Sequence, residues 1–332
     1  MNTDTDGLVP GPDATPVSAP PSALHKIFIG KDGLRAGWSL LIFIALLAAM
    51  FFSVTAIGHQ IYPAARKATK TAAGISATPR WFISEFVPFL VTLFVTWVMA
   101  KIERRPNAVY GLGGKRKLPH FIGGLFWGVA CLSMLLLTLW RTEFLVIDRR
   151  LLSGFAILRY GTIWLLGFLM VGLSEEYLLR GYVQYTLSRG LAGFYRWAFN
   201  TRHSVAMGFW TSAVLFSVVF GLSHSKNPGE SPLGLLSAGL AGIVFCLSLW
   251  RTGSLWWAIG FHTAWDWAQS FLYGVADSGT MIQHHFLATH PVGNPLFSGG
   301  ATGPEGSIFA LAILALTSFI LMFSLPDAHE RD

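Results

Sequence analysis

Apolar stretches near the length needed to cross a bilayer as a helix recur along this chain, and they leave few folds open to it. A hydrocarbon core about 30 Å thick takes roughly 20 helical residues. Residues 36–58, 121–140, 205–222, 233–250 and 307–325 carry no charged side chain at all. Residues 81–100, 160–185 and 254–273 are equally apolar but interrupted by charge, with Glu85 in the first of them. An outer-membrane barrel would show short alternating segments, not continuous apolar runs. The pattern predicts an all-α, polytopic transmembrane helical bundle of about eight spans. Composition agrees: only 12% of residues are charged and 53% are hydrophobic, against about 25% charged in a soluble domain.

Four regions follow. Residues 1–30 are Pro-rich, carry Asp4, Asp6 and Asp13, and lack the basic start and apolar centre of a signal peptide, which reads as a disordered cytoplasmic tail. Residues 31–154 hold three spans, 155–275 four, and 276–332 a loop without Lys or Arg, a last span and a short tail. Cys131 and Cys246 fall inside predicted spans and read as packing residues. The net charge of +7 is concentrated between Lys101 and Lys117, which fits anchoring beside anionic lipid and needs no nucleic acid. With eight spans, that run places both termini in the cytoplasm of a multi-pass cell-membrane protein. Trp38, Trp81, Trp140, Trp250 and Trp256 lie near predicted span ends, as an aromatic belt requires.

Ionisable groups inside the spans carry the functional signal. A central Asp, Lys or Arg costs about 2.5–3.5 kcal/mol on insertion scales. Glu175, Glu176 and Arg180 nevertheless close one apolar run, and His262 and Asp266 sit inside another. They must face one another or a wet cavity. Glu176 and Arg180 are four apart with the acid first, the favourable order for a helical ion pair. Glu175 is turned about 100° from Glu176 and is left as the freer carboxylate. Phe220 and His224 share the four-residue spacing, as do His262 and Asp266. A carboxylate beside histidines can act as a general base on water. Glu175, His224, His262 and Asp266 are also a conceivable ligand set for zinc.

Plainer readings exist for each residue. The Glu176 and Arg180 pair, or the His262 and Asp266 pair, would serve as structural hydrogen-bonded pairs, and His224 as a helix cap. Ser174 and Ser223 are small packing residues before they are nucleophiles. His284, His285 and His290 read as a solvated loop cluster, and Glu85 with Pro88 as a kinked span entrance. A proton- or cation-coupled transporter would also keep carboxylates at this depth, and a non-proteolytic immunity or scaffold protein would use the pocket only for binding.

The three motifs together, Glu175-Glu176-Tyr-Leu-Leu-Arg180, Phe220-Gly-Leu-Ser-His224 and His262-Thr-Ala-Trp-Asp266, resemble those of the CAAX prenyl endopeptidase and bacteriocin-processing family, of the type II CAAX prenyl endopeptidase kind. The resemblance covers about residues 155–275. It implies an intramembrane endopeptidase whose polar cavity opens to the cytoplasmic side and whose substrate is a membrane-associated protein or peptide. By the same resemblance, Glu175 activates water with His224, while His262 and Asp266 stabilise the oxyanion or hold a metal. Glu176 and Arg180 orient the site, and Arg180 also meets a substrate carboxylate. Many members carry asparagine where this chain has Asp266; an acid there is a better metal ligand and, unless protonated, no oxyanion donor.

Overall fold

A computed structural model describes residues 27–30, 33–61, 70–71 and 74–325; the expected N-terminal tail lies largely outside them. The chain is mostly helical: α1 Ala36–Ile61, α2 Pro79–Glu103, α3 Lys117–Arg141 and α4 Phe155–Glu176 come first. Tyr177–Val183 continues α4 as a π-helical turn into α5 Gln184–Phe199. Then follow α6 Ser204–Ser223, α7 Pro232–Thr252, α8 Trp256–Trp267 with a second π-helical extension Ala268–Leu272, the short α9 Pro295–Ser298, and α10 Ile308–Ser324.

Local chemistry explains the boundaries. Thr78 and Ser231 cap α2 and α7 by accepting from the backbone N–H of Trp81 and Gly234, with Pro79 and Pro232 opening each first turn. Gly253, with φ at +66°, ends α7 in a left-handed turn that a side chain would strain.

Six helices among the described residues are long and apolar enough to cross a membrane. The expected eight spans become six with two shorter helices. α10 has 17 residues, a rise of about 26 Å, and α8 with its extension is no longer. α8 is short because protein surrounds it: Trp257, Ala258, Ile259, Gly260, Phe261 and His262 are all buried, so it has no need to reach both interfaces. Residues 155–199 form one continuous rod instead of stopping near Tyr185.

α3 and α8 make the closest packing of the bundle, at Gly124, Gly128 and Gly260, where a Cβ would strike the backbone of the facing helix. Leu132, Leu135, Leu139, Trp257 and Phe261 fill the space beside them. Thus a helix of the 31–154 region is built into the 155–275 region.

The bundle has two distinct ends. At one, Arg189 Nη2 donates to Leu34 O (3.2 Å), Leu255 N to Gly111 O (2.9 Å) and Arg251 Nε to Leu325 O (2.7 Å). The first and last described helices therefore start and finish there. Two short antiparallel pairs join β1 Ile29–Gly30 to β2 Gly33–Leu34 and β3 Lys70–Thr71 to β4 Gly74–Ile75; at the other end, β5 Leu145–Arg150 pairs antiparallel with β6 Leu287–Pro291. Ile75 N donates to Met281 O (2.8 Å) and Thr302 Oγ1 to Gly229 O (2.9 Å). The segment from 276 to 306, expected as loop, is thus stitched across the end of the bundle.

Candidate active site

Glu176 and Arg180 are sealed in the core with side chains fully buried, Nη1 to Oε1 being 2.6 Å. The guanidinium lies over the rings of Phe220 (4.5 Å) and Phe245 (5.3 Å), so the charge meets ring faces as well as the carboxylate. Glu176 Oε1 also accepts from His262 Nδ1 at 3.0 Å. That bond fixes Nδ1 as the donor and turns Nε2 toward Asp266 Oδ2 (3.4 Å) and Glu175 Oε2 (3.9 Å). Two carboxylates facing one ring nitrogen require at least one proton among the three groups. Phe245 stacks on the imidazole at 5.4 Å and holds its plane.

Glu175, His224, His262 and Asp266 line a single cavity of about 350 Å³, together with Phe220. The freer carboxylate anticipated at Glu175 is there, with its side chain 37% exposed. His224 Nδ1 lies 2.8 Å from Phe220 O, which makes it the donor and leaves Nε2 as an acceptor. Arg180 does not border the cavity, so it is not placed to meet a substrate carboxylate; Phe220 and Phe245 stand between. Ser223 Oγ donates to Phe220 O (2.7 Å), as a helix-end residue does. The loop histidines are dispersed: His284 stacks on Tyr160, His285 meets Leu287 O, and His290 pairs with Asp148. Trp81, expected at the lipid interface, is buried and lines the cavity.

Sequence reasoning missed part of the lining. Glu85 faces this cavity, and its charge at membrane depth was the available signal. Asn227, Asp277 and Glu305 also line it, but they come from irregular connections where no periodicity points anywhere. Asp277 accepts from Ser270 Oγ (3.4 Å), while Glu305 accepts from Gln269 Nε2 and the backbone N–H of Ser278. Burial pushes the Asp277 carboxyl up to about 6, helped by Glu175 and opposed by His262 and His224. Burial, with Asp277 close by, holds Glu305 well above the ordinary carboxylate range.

A zinc ion needs three or four donors about 2.0–2.3 Å from one point. Here His262 commits Nδ1 to Glu176 and His224 commits Nδ1 to Phe220 O. Among the described residues, no three His, Cys, Asp or Glu side chains are placed to share an ion. The four expected ligands do not make a ready zinc site, and no step below runs through a metal.

The cavity reaches the strand-bearing end of the bundle, where its lining includes Ile75, Asn227, Asp277 and Glu305.

No curated protein and no solved structure matches the chain at a significant level. A family model does: residues 157–268 match that described as Type II CAAX prenyl endopeptidase Rce1-like. The matched stretch contains Glu175, Glu176, Arg180, His224, His262 and Asp266, while Glu85, Asp277 and Glu305 fall outside it. With six helices among its described residues long and apolar enough to cross a membrane, the chain is a multi-pass membrane protein, and the stretch that carries its site is similar to the type II CAAX prenyl endopeptidase Rce1-like family.

Proposed function

We propose that this protein is an intramembrane endopeptidase in which Glu175 activates the attacking water. The observation that carries the reading is the division between the two adjacent glutamates. Glu176 is locked behind the cavity by Arg180 and His262, whereas Glu175 stands open in it. Glu175 takes a proton from water as oxygen attacks the scissile carbonyl, and His224 Nε2 accepts from the same water. His262, carrying a proton on Nε2, donates to the developing oxyanion and is balanced by Asp266 and Glu176. The tetrahedral intermediate then collapses, the C–N bond breaks, and Glu175 returns its proton to the departing amine. The substrate is a membrane-associated protein or peptide that reaches this depth as extended chain.

Glu175→Gln keeps the volume and removes the base. Turnover of a membrane-tethered peptide is expected to fall by about 10²–10⁴-fold, with insertion and melting unchanged. Cleavage at the wild-type rate would take Glu175 out of the mechanism. The same assay on Glu175→Gln separates this reading from a transporter, whose uptake would change while no proteolysis is seen in either form.

A further inference from the structure

We infer that a second cavity, between α5 and α6, binds one anionic phospholipid by its phosphate ester. It shares no residue with the candidate active site, and the inference stands apart from the endopeptidase reading.

The sequence of α5 returns a polar or small residue to one face every three or four positions, at Tyr185, Ser188, Arg189, Ala192 and Arg196. Ser188 and Ala192 let α6 come close, and a Cβ on Gly208 would strike their backbone. Beside that contact lies a cavity of about 280 Å³, lined by Tyr185, Ser188, Arg189, Gly193, Arg196 and Val205. A Cβ on Gly193 would meet nothing, so the glycine adds room. The lining holds two guanidinia and two hydroxyls but no carboxylate. Arg196 is exposed and makes no ion pair among the described residues. Arg189 is tied at Nη2 to Leu34 O (3.2 Å) and lies 3.9 Å from Glu103. Glu103 also takes Arg105 Nε at 3.4 Å and the Tyr182 hydroxyl at 2.7 Å, so one negative charge serves two guanidinia. Tyr185 accepts from Arg105 Nη1 (3.5 Å) and keeps its own proton to donate. Donors converging on one space without an acceptor suit an anion with several oxygens, and guanidinium pairs with phosphate especially well.

The depth of the cavity points to a lipid as the source of that phosphate. Next to Gly208, Phe209 and Trp210 pack on Trp250 at 4.8 and 6.0 Å. Tryptophans at span ends mark the headgroup level, and the guanidinia lie there. Phe194 and Trp197, on the same stretch of α5, are 51% and 82% exposed. Such a flank suits an acyl chain running down beside a bound headgroup, and a soluble phosphate would have no use for it.

Native mass spectrometry of the full chain reads the site without needing cleavage. Released from mixed micelles of phosphatidylglycerol and phosphatidylcholine with equal acyl chains, the wild type should retain phosphatidylglycerol about tenfold over phosphatidylcholine. Arg196→Gln, at an exposed position, should lower that preference about fivefold, the worth of one basic group beside anionic lipid. Lys115→Gln removes the same charge from the exposed connection between α2 and α3, which meets Leu255 at this end of the bundle, and should leave the preference unchanged. Equal retention of the two lipids overturns the inference, and so does an equal loss in both variants, which is what diffuse attraction gives. Inorganic phosphate at millimolar concentration is expected to leave the lipid bound; displacement would make this a site for soluble phosphate and overturn the lipid assignment.

Discussion

Arg180 shows how much a single buried charge is asked to do. Its guanidinium neutralises Glu176, lies against two phenyl rings, and through Glu176 holds the ring of His262. Removing one partner of a buried pair strands the other charge, which typically costs 3–5 kcal/mol. Arg180→Met should therefore lower the unfolding free energy in detergent by about that amount. Arg180→Lys is expected to recover little of it, because an ammonium cannot lie flat between the rings. Asp277 makes a different prediction. Its folded-state value of about 6 lies above the ordinary 3.8, so the folded protein binds a proton that the unfolded chain releases. Stability is then greatest below about pH 4 for this group and declines as pH rises through 6. Thermal melts between pH 4 and 7 should show that decline, and Asp277→Asn should flatten it.

Among the elements, the contact of α3 with α8 decides where His262 and Asp266 sit. A methyl group on Gly124 would collide with the carbonyl of Trp257, and one on Gly260 with that of Phe121. Gly124→Val is expected to destabilise by about 1–3 kcal/mol. Its turnover should fall further than its folded fraction, since α8 would be displaced from Glu175. Gly193, with open space around it in α5, provides the control: Gly193→Ala should hold or raise the melting temperature, because alanine favours helix. Uncharged runs and their capping residues made most helices legible in the sequence, and four-residue spacing made Glu176–Arg180 and His262–Asp266 legible as pairs. The π-helical turns were not, since each follows its acids, Glu176 and Asp266, without any residue that marks a wider turn. Nor was the length of α5. Arg189 and Arg196 look like the end of a span, yet they decorate one face of a helix that runs on to Phe199. β5 and β6 lack the alternation that announces a half-buried strand, so their pairing could not be read either.

For the molecule as a whole, the donor geometry predicts that stripping divalent cations leaves cleavage intact. Turnover measured after dialysis against a strong chelator, beside the metal content of the purified protein, checks this; loss that zinc alone restores would assign His224, His262 and the carboxylates to an ion instead. The way the segment from 276 to 306 is fastened has a wider effect. It is sewn to Ile75 and β5 on one flank and to Gly229 on the other, above a chamber of only about 350 Å³. Such a vestibule accommodates a few residues of stretched polypeptide and turns away anything still coiled or pleated. On the proposed endopeptidase reading, discrimination among targets would then begin with how readily each one frays at the bond to be cut, before any side chain is inspected.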